Sequence, residues 1–544
     1  MTPLSSPVLY YVYLRSFFDS SGDGVGDLDG VKEKLSYIQR LGVDGILLSP
    51  IFDSPLSDFG YDITNLREIN PEYGNIESFK TLIAEAKLKN IAVFMDLVAN
   101  HTSTQHPWFI ESSQREANAK KDWYIWAPAK PDGTPPNNWL TIFGESAWRW
   151  HPTRGEYYLH NTLSNQPDLN YRNPDVVRQL LANVRFWFEL GVTGLRLDSV
   201  NLFLHDDKLR NNPSKHLGWQ DPDRADPYRY QSQRYNISRP ENIHLLKQLR
   251  VIADSYEEKK WLLGSLSDPS PYPTIDRYTS EADALDAANV FESLSMCQDF
   301  QQVGEQLQQF FATVHPGLGC WSTGNHDIAR VVSRWQDAHN QPDAAKLLLT
   351  LLAVLRGVVT LYQGEELGLP EADVPPEHRR DLFGQQVIAH YVGRDGCRTP
   401  MPWDHNKPYF GFSEKRTWLP PDPNHADFSV LAQESQPLSV LQFTRALLFW
   451  RKSQPALLFG SCRLVAFNQT LMVIERQHEG QTLIIALNGS PHAATIKLNL
   501  PSPAKTIHLP QMMEIDEEIQ STLNLPPWQA WVGELKKANV SNDS

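Results

Sequence analysis

The sequence predicts an α/β chain folded as a closed (β/α)8 TIM barrel, with an inserted lobe after the third strand and a C-terminal antiparallel β domain. Three observations lead there. Short apolar, β-rich runs alternate with longer amphipathic stretches between Val8 and Tyr362, the pattern of repeated βα units around a parallel sheet. Eight such runs suit a closed barrel better than an open sheet. At 544 residues the chain also exceeds what a single core of ~250 to 300 residues accommodates, so appended pieces are expected.

The runs lie near residues 8–13, 45–48, 92–97, 194–198, 261–264, 288–291, 319–322 and 358–362, and helical patterns at 28–41, 76–89, 175–190 and 344–355 fall between them. From His101 to about Asn170 the gap between the third and fourth strands is too long for a plain βα loop, and it is rich in Trp, Pro and Asn. A separate lobe is expected there. Two further long polar stretches, 205–240 and 370–423, follow the fourth and eighth strands and are placed to wall a site. From about Leu457 the pattern changes to short alternating runs at 471–475, 482–488 and 494–500. The domains are therefore 1–100 with 171–456 for the barrel, 101–170 for the lobe, 457–536 for a C-terminal β-sandwich, and a frayed tail at 537–544.

Composition narrows the function classes. The chain is 41% hydrophobic and 21% charged, with no apolar run near the ~20 residues that span a bilayer. Its first residues, Met1 to Ser6, lack the basic and apolar regions of a secretory signal, so a cytoplasmic enzyme is expected, with no membrane partner. Cys297, Cys320, Cys397 and Cys462 are scattered without CxxC spacing and read as free thiols. A formal charge of −14 repels nucleic acid, so the partner is a neutral small molecule.

In a barrel of this kind chemistry sits at the carboxyl ends of the strands. Those ends are polar here: Asp96-Leu97-Val98-Ala99-Asn100-His101 after the third run, Arg196-Leu197-Asp198 at the fourth, and Asn325-His326-Asp327 after the seventh. With Gln166 to Asn170 (QPDLN), Gly194 to Ser199 (GLRLDS) and Gly393 to Trp403 (GRDGCRTPMPW), these segments resemble the α-amylase superfamily of glycoside hydrolases, in its α-glucosidase and oligo-1,6-glucosidase branch. The resemblance spans about residues 7–535.

It implies a retaining, exo-acting α-glucosidase that takes one glucose from the non-reducing end of short α-glucosides, with transfer to acceptors other than water left open by the sequence. Retention needs a carboxylate nucleophile and a carboxylic acid roughly 5 to 5.5 Å apart. By resemblance Asp198 is the nucleophile, kept ionised by Arg196, and Asp327 is the third carboxylate, which holds the sugar hydroxyls. His101 and His326 are implied as neutral hydrogen-bond partners of the glucosyl unit, with Tyr61 stacking beneath it and Phe143 bordering it from the lobe. Asp58 is expected to pair with Arg394 and close the pocket, with Arg398 as the competing arginine. Glu371 is placed either at the leaving sugar or in a surface loop, and the small polar Ser199 after the nucleophile favours maltose-like or sucrose-like substrates over α-1,6 linkages. A metal-dependent hydrolase is the weaker alternative, since His101 and His326 lack HxH or HExxH company.

Residues 19–27 (DSSGDGVGD) set oxygen donors at Asp19, Ser21, Asp23, the Val25 carbonyl and Asp27, like the first nine positions of an EF-hand loop but without a twelfth-position Glu. Relatives bind a structural cation here; Ca2+ is expected, or Mg2+.

One position departs from the family. Where relatives carry Gly-Glu after the fifth strand, and that Glu is the general acid/base, this chain has Gly264-Ser265. A serine hydroxyl does not protonate a leaving alkoxide near neutral pH, and the lost assistance is worth ~10² to 10⁴ in rate. The chain reads as an acid/base-disabled α-glucosidase; the alternative is a naturally non-hydrolytic sugar-binding protein on the same fold.

Overall fold

The computed structural model describes residues 6–216, 227–290, 294–335, 342–381, 393–509 and 518–536. The expected tail at 537–544, residue 291, and parts of the polar stretches 205–240 and 370–423 lie outside them. Eight parallel strands close a barrel in sequential order: β1 (Val8–Val12), β2 (Gly45–Leu48), β3 (Ala92–Val98), β4 (Gly194–Asp198), β5 (Trp261–Leu266), β6 (Ala287–Val290), β7 (Gly319–Trp321) and β8 (Gly357–Tyr362). All eight expected runs are strands. The main shift is at β5, which continues through Ser265, so this residue belongs to the strand and not to the loop after it.

Strand side chains alternate between two environments. Leu9, Leu47, Phe94, Trp261, Leu263 and Val358 fill the barrel interior, while Tyr10, Ile46, Leu48, Val93 and Leu262 join the larger core under the surrounding helices. The interior tapers at the amino ends of the strands, where a Cβ on Gly194 would stand 2.3 Å from the Phe94 ring. Helices begin and end on local chemistry. Asp27 caps Leu28–Leu41 through the Gly30 amide and left-handed Gly42 (φ 85°) ends it, Asn75 and Ser78 form a capping box on Ile76–Leu88, and Asn173 with Pro174 opens Pro174–Glu189.

The lobe is the segment after β3. Its three-stranded sheet runs in the order Trp126–Ala127, Glu156–Leu159, Trp148–His151 around a core of Ile125, Trp139 and Trp148. It is tied to the segment following β4, because Trp139 Nε1 donates to the Arg210 carbonyl and Asn137 to that of Leu209. The C-terminal domain is a six-stranded antiparallel sheet covered by the pair Ala494–Lys497 and Thr522–Leu525. Alternation orients it: Leu483, Ile485 and Leu487 pack on the barrel's helical layer, and Ile484 and Ala486 face the domain's own core. All four cysteines are free, and among the described residues no helix is long and apolar enough to cross a membrane.

Arg476 pins this domain to the barrel. Fully buried, it donates to the carbonyls of Ser461 (2.9 Å), Leu457 (2.9 Å), Gly460 (3.2 Å) and, on the barrel side, Val354 (2.5 Å). Arg476→Met orphans four acceptors at once and is expected to lower the unfolding free energy by about 3 kcal/mol. Denaturant titration measures it, and a loss below about 1 kcal/mol would show that the carbonyls find other partners.

Burial also holds the imidazoles of His106, His160 and His205 down at about 4. They stay neutral in the fold and protonate in the unfolded chain near 6.5, so stability is lost as pH falls from 6.5 toward 4. Asp168, Asp96 and Glu365, each lifted to about 7 by burial, work in the opposite direction, so the histidines' share is read from a single-site variant. His205→Phe keeps a ring against Trp139 and should flatten the stability curve between pH 6.5 and 4 by about 1.4 kcal/mol per pH unit. An unchanged slope in urea melts would place the titration elsewhere.

Candidate active site

Strand register assembles the first cluster. Asp96 on β3 pairs with Arg196 on β4, and Val98 with Asp198, so Asp96 lies one layer deeper in the barrel mouth than Asp198. Residues 196 and 198 share a strand face. Arg196 Nη1 donates to Asp96 Oδ2 and stands 3.5 Å from Asp198 Oδ1, and its Nη2 donates to Ser265 Oγ at 2.8 Å. Ser199 donates to Asp198 Oδ2 at 3.1 Å from a left-handed backbone (φ 49°), strain of the kind that collects at functional sites.

A second cluster follows β7. Asp327 Oδ1 accepts from Arg394 Nη1 (2.7 Å) and Arg398 Nη2 (2.8 Å), and its Oδ2 lies 3.1 Å from His326 Nε2. Burial alone would raise this carboxyl, but His326 and the two guanidiniums hold it well below the usual carboxylate range. The His326 ring is stacked between Tyr13 (5.3 Å) and Tyr61 (5.2 Å), and burial depresses it to about 3. The neutral ring has one consistent tautomer: Nε2–H donates to Asp327, and Nδ1 accepts from Tyr11 Oη at 2.8 Å. Tyr61 Oη in turn donates to Asp96 at 3.1 Å, which joins the two clusters.

The third cluster is the wall. Arg394 Nη2 donates to Asp58 Oδ1 at 3.0 Å, while Asp58 Oδ2 accepts from Gln166 of the lobe at 3.0 Å. Asp62, buried beneath, accepts from Ser54 and from the amides of Ser57 and Asp58 and so fixes a loop in which Leu56 and Phe59 are left-handed. Between the competing arginines the geometry is clear: Arg394 takes Asp58, and Arg398 takes Asp327 and the His326 carbonyl.

The remaining sequence-derived residues are placed as follows. His101, its pKa lowered by burial, donates from Nε2 to the Tyr61 carbonyl at 3.0 Å and so positions Tyr61. Phe143 sits half-buried on the lobe turn that Thr141 and Gly144 close. Glu371 accepts from the Arg330 amide at 2.7 Å and braces the segment after Asp327. Sequence reasoning missed Tyr11 and Tyr13, whose run reads as plain strand, and Asp381, which contacts Arg394 and belongs to no motif.

The carboxylates these contacts gather are acceptors. Asp96 and Asp198 face Arg196, and Asp58, Asp327 and Asp381 face Arg394. Burial lifts Asp96 to about 7 against the pull of Arg196, yet its Oδ2 takes hydrogen bonds from both Arg196 and Tyr61 beneath the site. At 265, the position the resemblance gives to the acid, stands a buried serine, directly across from Asn289 on β6, whose buried Oδ1 has no partner.

In the loop at 19–27 the carboxylates are hydrogen-bonded to neighbouring backbone amides. Asp19 accepts from the amides of Gly22 and Gly24 (both 2.7 Å), Asp23 from that of Val25 (2.9 Å), and Asp27 from Ser20, Ser21 and the helix-capping Gly30. Among the described residues no three His, Cys, Asp or Glu side chains gather as metal ligands.

Comparison with known proteins places this geometry. Residues 11–460 match the family model described as the alpha amylase catalytic domain. The chain is 44% identical over 535 residues to a probable alpha-glucosidase of Rhizobium meliloti (strain 1021), covering 97% of this chain and 96% of the relative. It is 33% identical over 567 residues to an oligo-1,6-glucosidase of Parageobacillus thermoglucosidasius, covering 97% and 98%. Among solved structures it resembles the alpha-glucosyl transfer enzyme XgtA with a TM-score of 0.93 at 40% identity, covering 98% of this chain and 100% of that one. A closed eight-stranded barrel with Asp198 and Asp327 at its mouth, matched over most of its length by these relatives, belongs to the α-amylase family of glycoside hydrolases.

Proposed function

We propose that the chain is a cytoplasmic, retaining, exo-acting α-glucosidase, taking glucose from the non-reducing end of maltose-like or sucrose-like α-glucosides and passing it to water or another acceptor, with acid/base chemistry disabled at Ser265. The carrying observation is the Arg196 cluster: the guanidinium holds Asp198 on one side and Ser265 Oγ at 2.8 Å on the other, so the nucleophile's frame stands without the acid. Asp58 bridged to Arg394 supports exo-action, and the small Ser199 supports the maltose-like preference. The relatives' names, α-glucosidase and alpha-glucosyl transfer enzyme, support the substrate class and the transfer.

On this reading the terminal glucose seats against Tyr61, with its hydroxyls on Asp327, neutral His326 and His101, and with Phe143 at the lobe side. Asp198 attacks C1, the bond to the leaving oxygen breaks, and a β-linked glucosyl ester forms on Asp198. In relatives with Glu at 265 that acid supplies the leaving group's proton and later activates water; Ser265 does neither. Maltose therefore binds and persists, while a nitrophenyl α-glucoside, whose leaving group needs no proton, glucosylates the protein.

Three outcomes test this. A fluorinated glucosyl reagent with a good leaving group should label Asp198, and a label on Asp96 or Asp327 overturns the assignment. Azide needs no base, so it should accelerate turnover of nitrophenyl α-glucoside and yield an α-glucosyl azide. Ser265→Glu should raise maltose hydrolysis by at least ~10², the lower end of what a general acid supplies. If the reversion leaves maltose untouched with binding unchanged, the non-hydrolytic sugar-binding reading replaces this one.

The cation is a separate proposal. Ca2+, or Mg2+ in its place, would exchange its water for the oxygens of Asp19, Ser21, Asp23, Asp27 and the Val25 carbonyl, with the N–H partners of Asp19 and Asp27 orienting their carboxylates. Such an exchange gives a thermal midpoint that climbs with added Ca2+ and falls on chelation; a midpoint indifferent to both removes the cation.

A further inference from the structure

The guanidinium that closes the pocket is itself held from behind. Asp381 Oδ2 accepts from Arg394 Nε (3.0 Å) and from the Arg394 backbone amide (2.8 Å), and Asp381 Oδ1 accepts from Arg394 Nη2 at 2.8 Å. This is the bidentate fork a carboxylate makes with the Nε/Nη2 edge of an arginine, and because the guanidinium is planar, fixing that edge fixes the directions of its other N–H groups. What those groups reach is Asp58 from Nη2 and Asp327 from Nη1. The Asp381 side chain is 1% exposed, and its backbone is fixed in turn: Asp395 Oδ2 accepts from the amides of Arg380 (2.8 Å) and Asp381 (3.1 Å).

Asp58 and Asp327 compete for the same arginine. Asp327 also has Arg398, but Asp58 has no second guanidinium in the ion pairs of the described residues. Without the fork behind it, Arg394 is free to swing toward Asp327 and leave Asp58, and the wall opens. We infer that Asp381 is a positioning residue for exo-specificity: by fixing the plane of Arg394 it keeps the Arg394–Asp58 wall shut, so the pocket admits one terminal glucose and excludes a second. The inference rests on the reading of Asp58 and Arg394 as that wall.

The test uses two activated donors that differ by one glucose beyond the reacting ring. Nitrophenyl α-glucoside needs a single sugar site, whereas direct release of nitrophenol from nitrophenyl α-maltoside needs room for a second glucose past the wall. That release leaves a maltosyl group on Asp198, read by intact mass. The unaltered chain should react with the glucoside and not with the maltoside. Asp381→Asn should raise the maltoside-to-glucoside rate ratio by at least ~10-fold and show the maltosyl adduct, the weight of a disrupted buried charge pair, and Asp381→Glu should recover most of the discrimination. A merely structural role would lower both rates together and leave the ratio unchanged. Asp58→Ala is the internal standard. If it admits the maltoside and Asp381→Asn does not, the positioning role is overturned; if Asp58→Ala does not admit it either, the wall reading itself is what failed.

Discussion

The buried guanidinium of Arg196 is the constraint on which the barrel mouth depends. A cation this deep costs several kcal/mol to desolvate and persists only where charge and hydrogen bonds compensate it. The parallel register of β3, β4 and β5 supplies those partners from three strands: Asp96 beside it, Asp198 two residues on, and the Ser265 hydroxyl across the next strand. Each partner is oriented by the same cation, so Asp198 inherits its direction from the closure of the sheet. The Tyr61 hydroxyl on Asp96 carries that order outward to the stacked His326, and from there to Asp327 and the Arg394 wall.

The second half of the site uses aromatic packing where the first uses charge. His326 has a full ring on either face, Tyr13 below and Tyr61 above, and this sandwich excludes the water that an imidazolium would need. Keeping it neutral fixes its tautomer, so that one nitrogen is always a donor to Asp327 and the other always an acceptor from Tyr11. Asp327 is then held ionised by the contact with His326 and by two arginines, with its carboxylate fixed between them.

Much of this was legible in the sequence, and what was not has a physical reason. Short apolar, β-rich runs marked all eight barrel strands, and the polar residues at or after runs three, four and seven marked Asp96, Asp198 and Asp327 as candidates. The extension of β5 through Ser265 was not visible, since Gly264-Ser265 resembles a turn until the neighbouring Asn289 pairs with it. Nor could spacing alone assign Arg394 and Arg398: four residues apart across a short 3-10 turn, both reach Asp327, and Arg394 is the one that also reaches Asp58. Asp381 carries no motif and is recruited by tertiary contact. In residues 19–27 donor spacing suggested a cation loop, and spacing alone did not show that the amides of Gly22, Gly24 and Gly30 orient its carboxylates.

The serine at 265 fits this frame without disturbing it, and the reason is electrostatic. A general acid must hold its proton in the resting enzyme, so the side chain required there is neutral before reaction. Serine is neutral too. The exchange leaves the charge around Arg196 unaltered, with Asp96 and Asp198 still its ionic partners, so no compensating change is demanded elsewhere. Substituting either of those aspartates would strand a buried cation and bring down the strand-end geometry with it. Position matters as well: Ser265 lies on β5 beside Asn289, whose buried Oδ1 has no partner, while the stacked histidine and the arginine wall sit on loops that follow other strands. On the proposed reading, position 265 is therefore the place in this cluster where an acid is exchanged with the least electrostatic cost to the architecture, since Asp198, Asp327 and the Arg394 pair keep their partners.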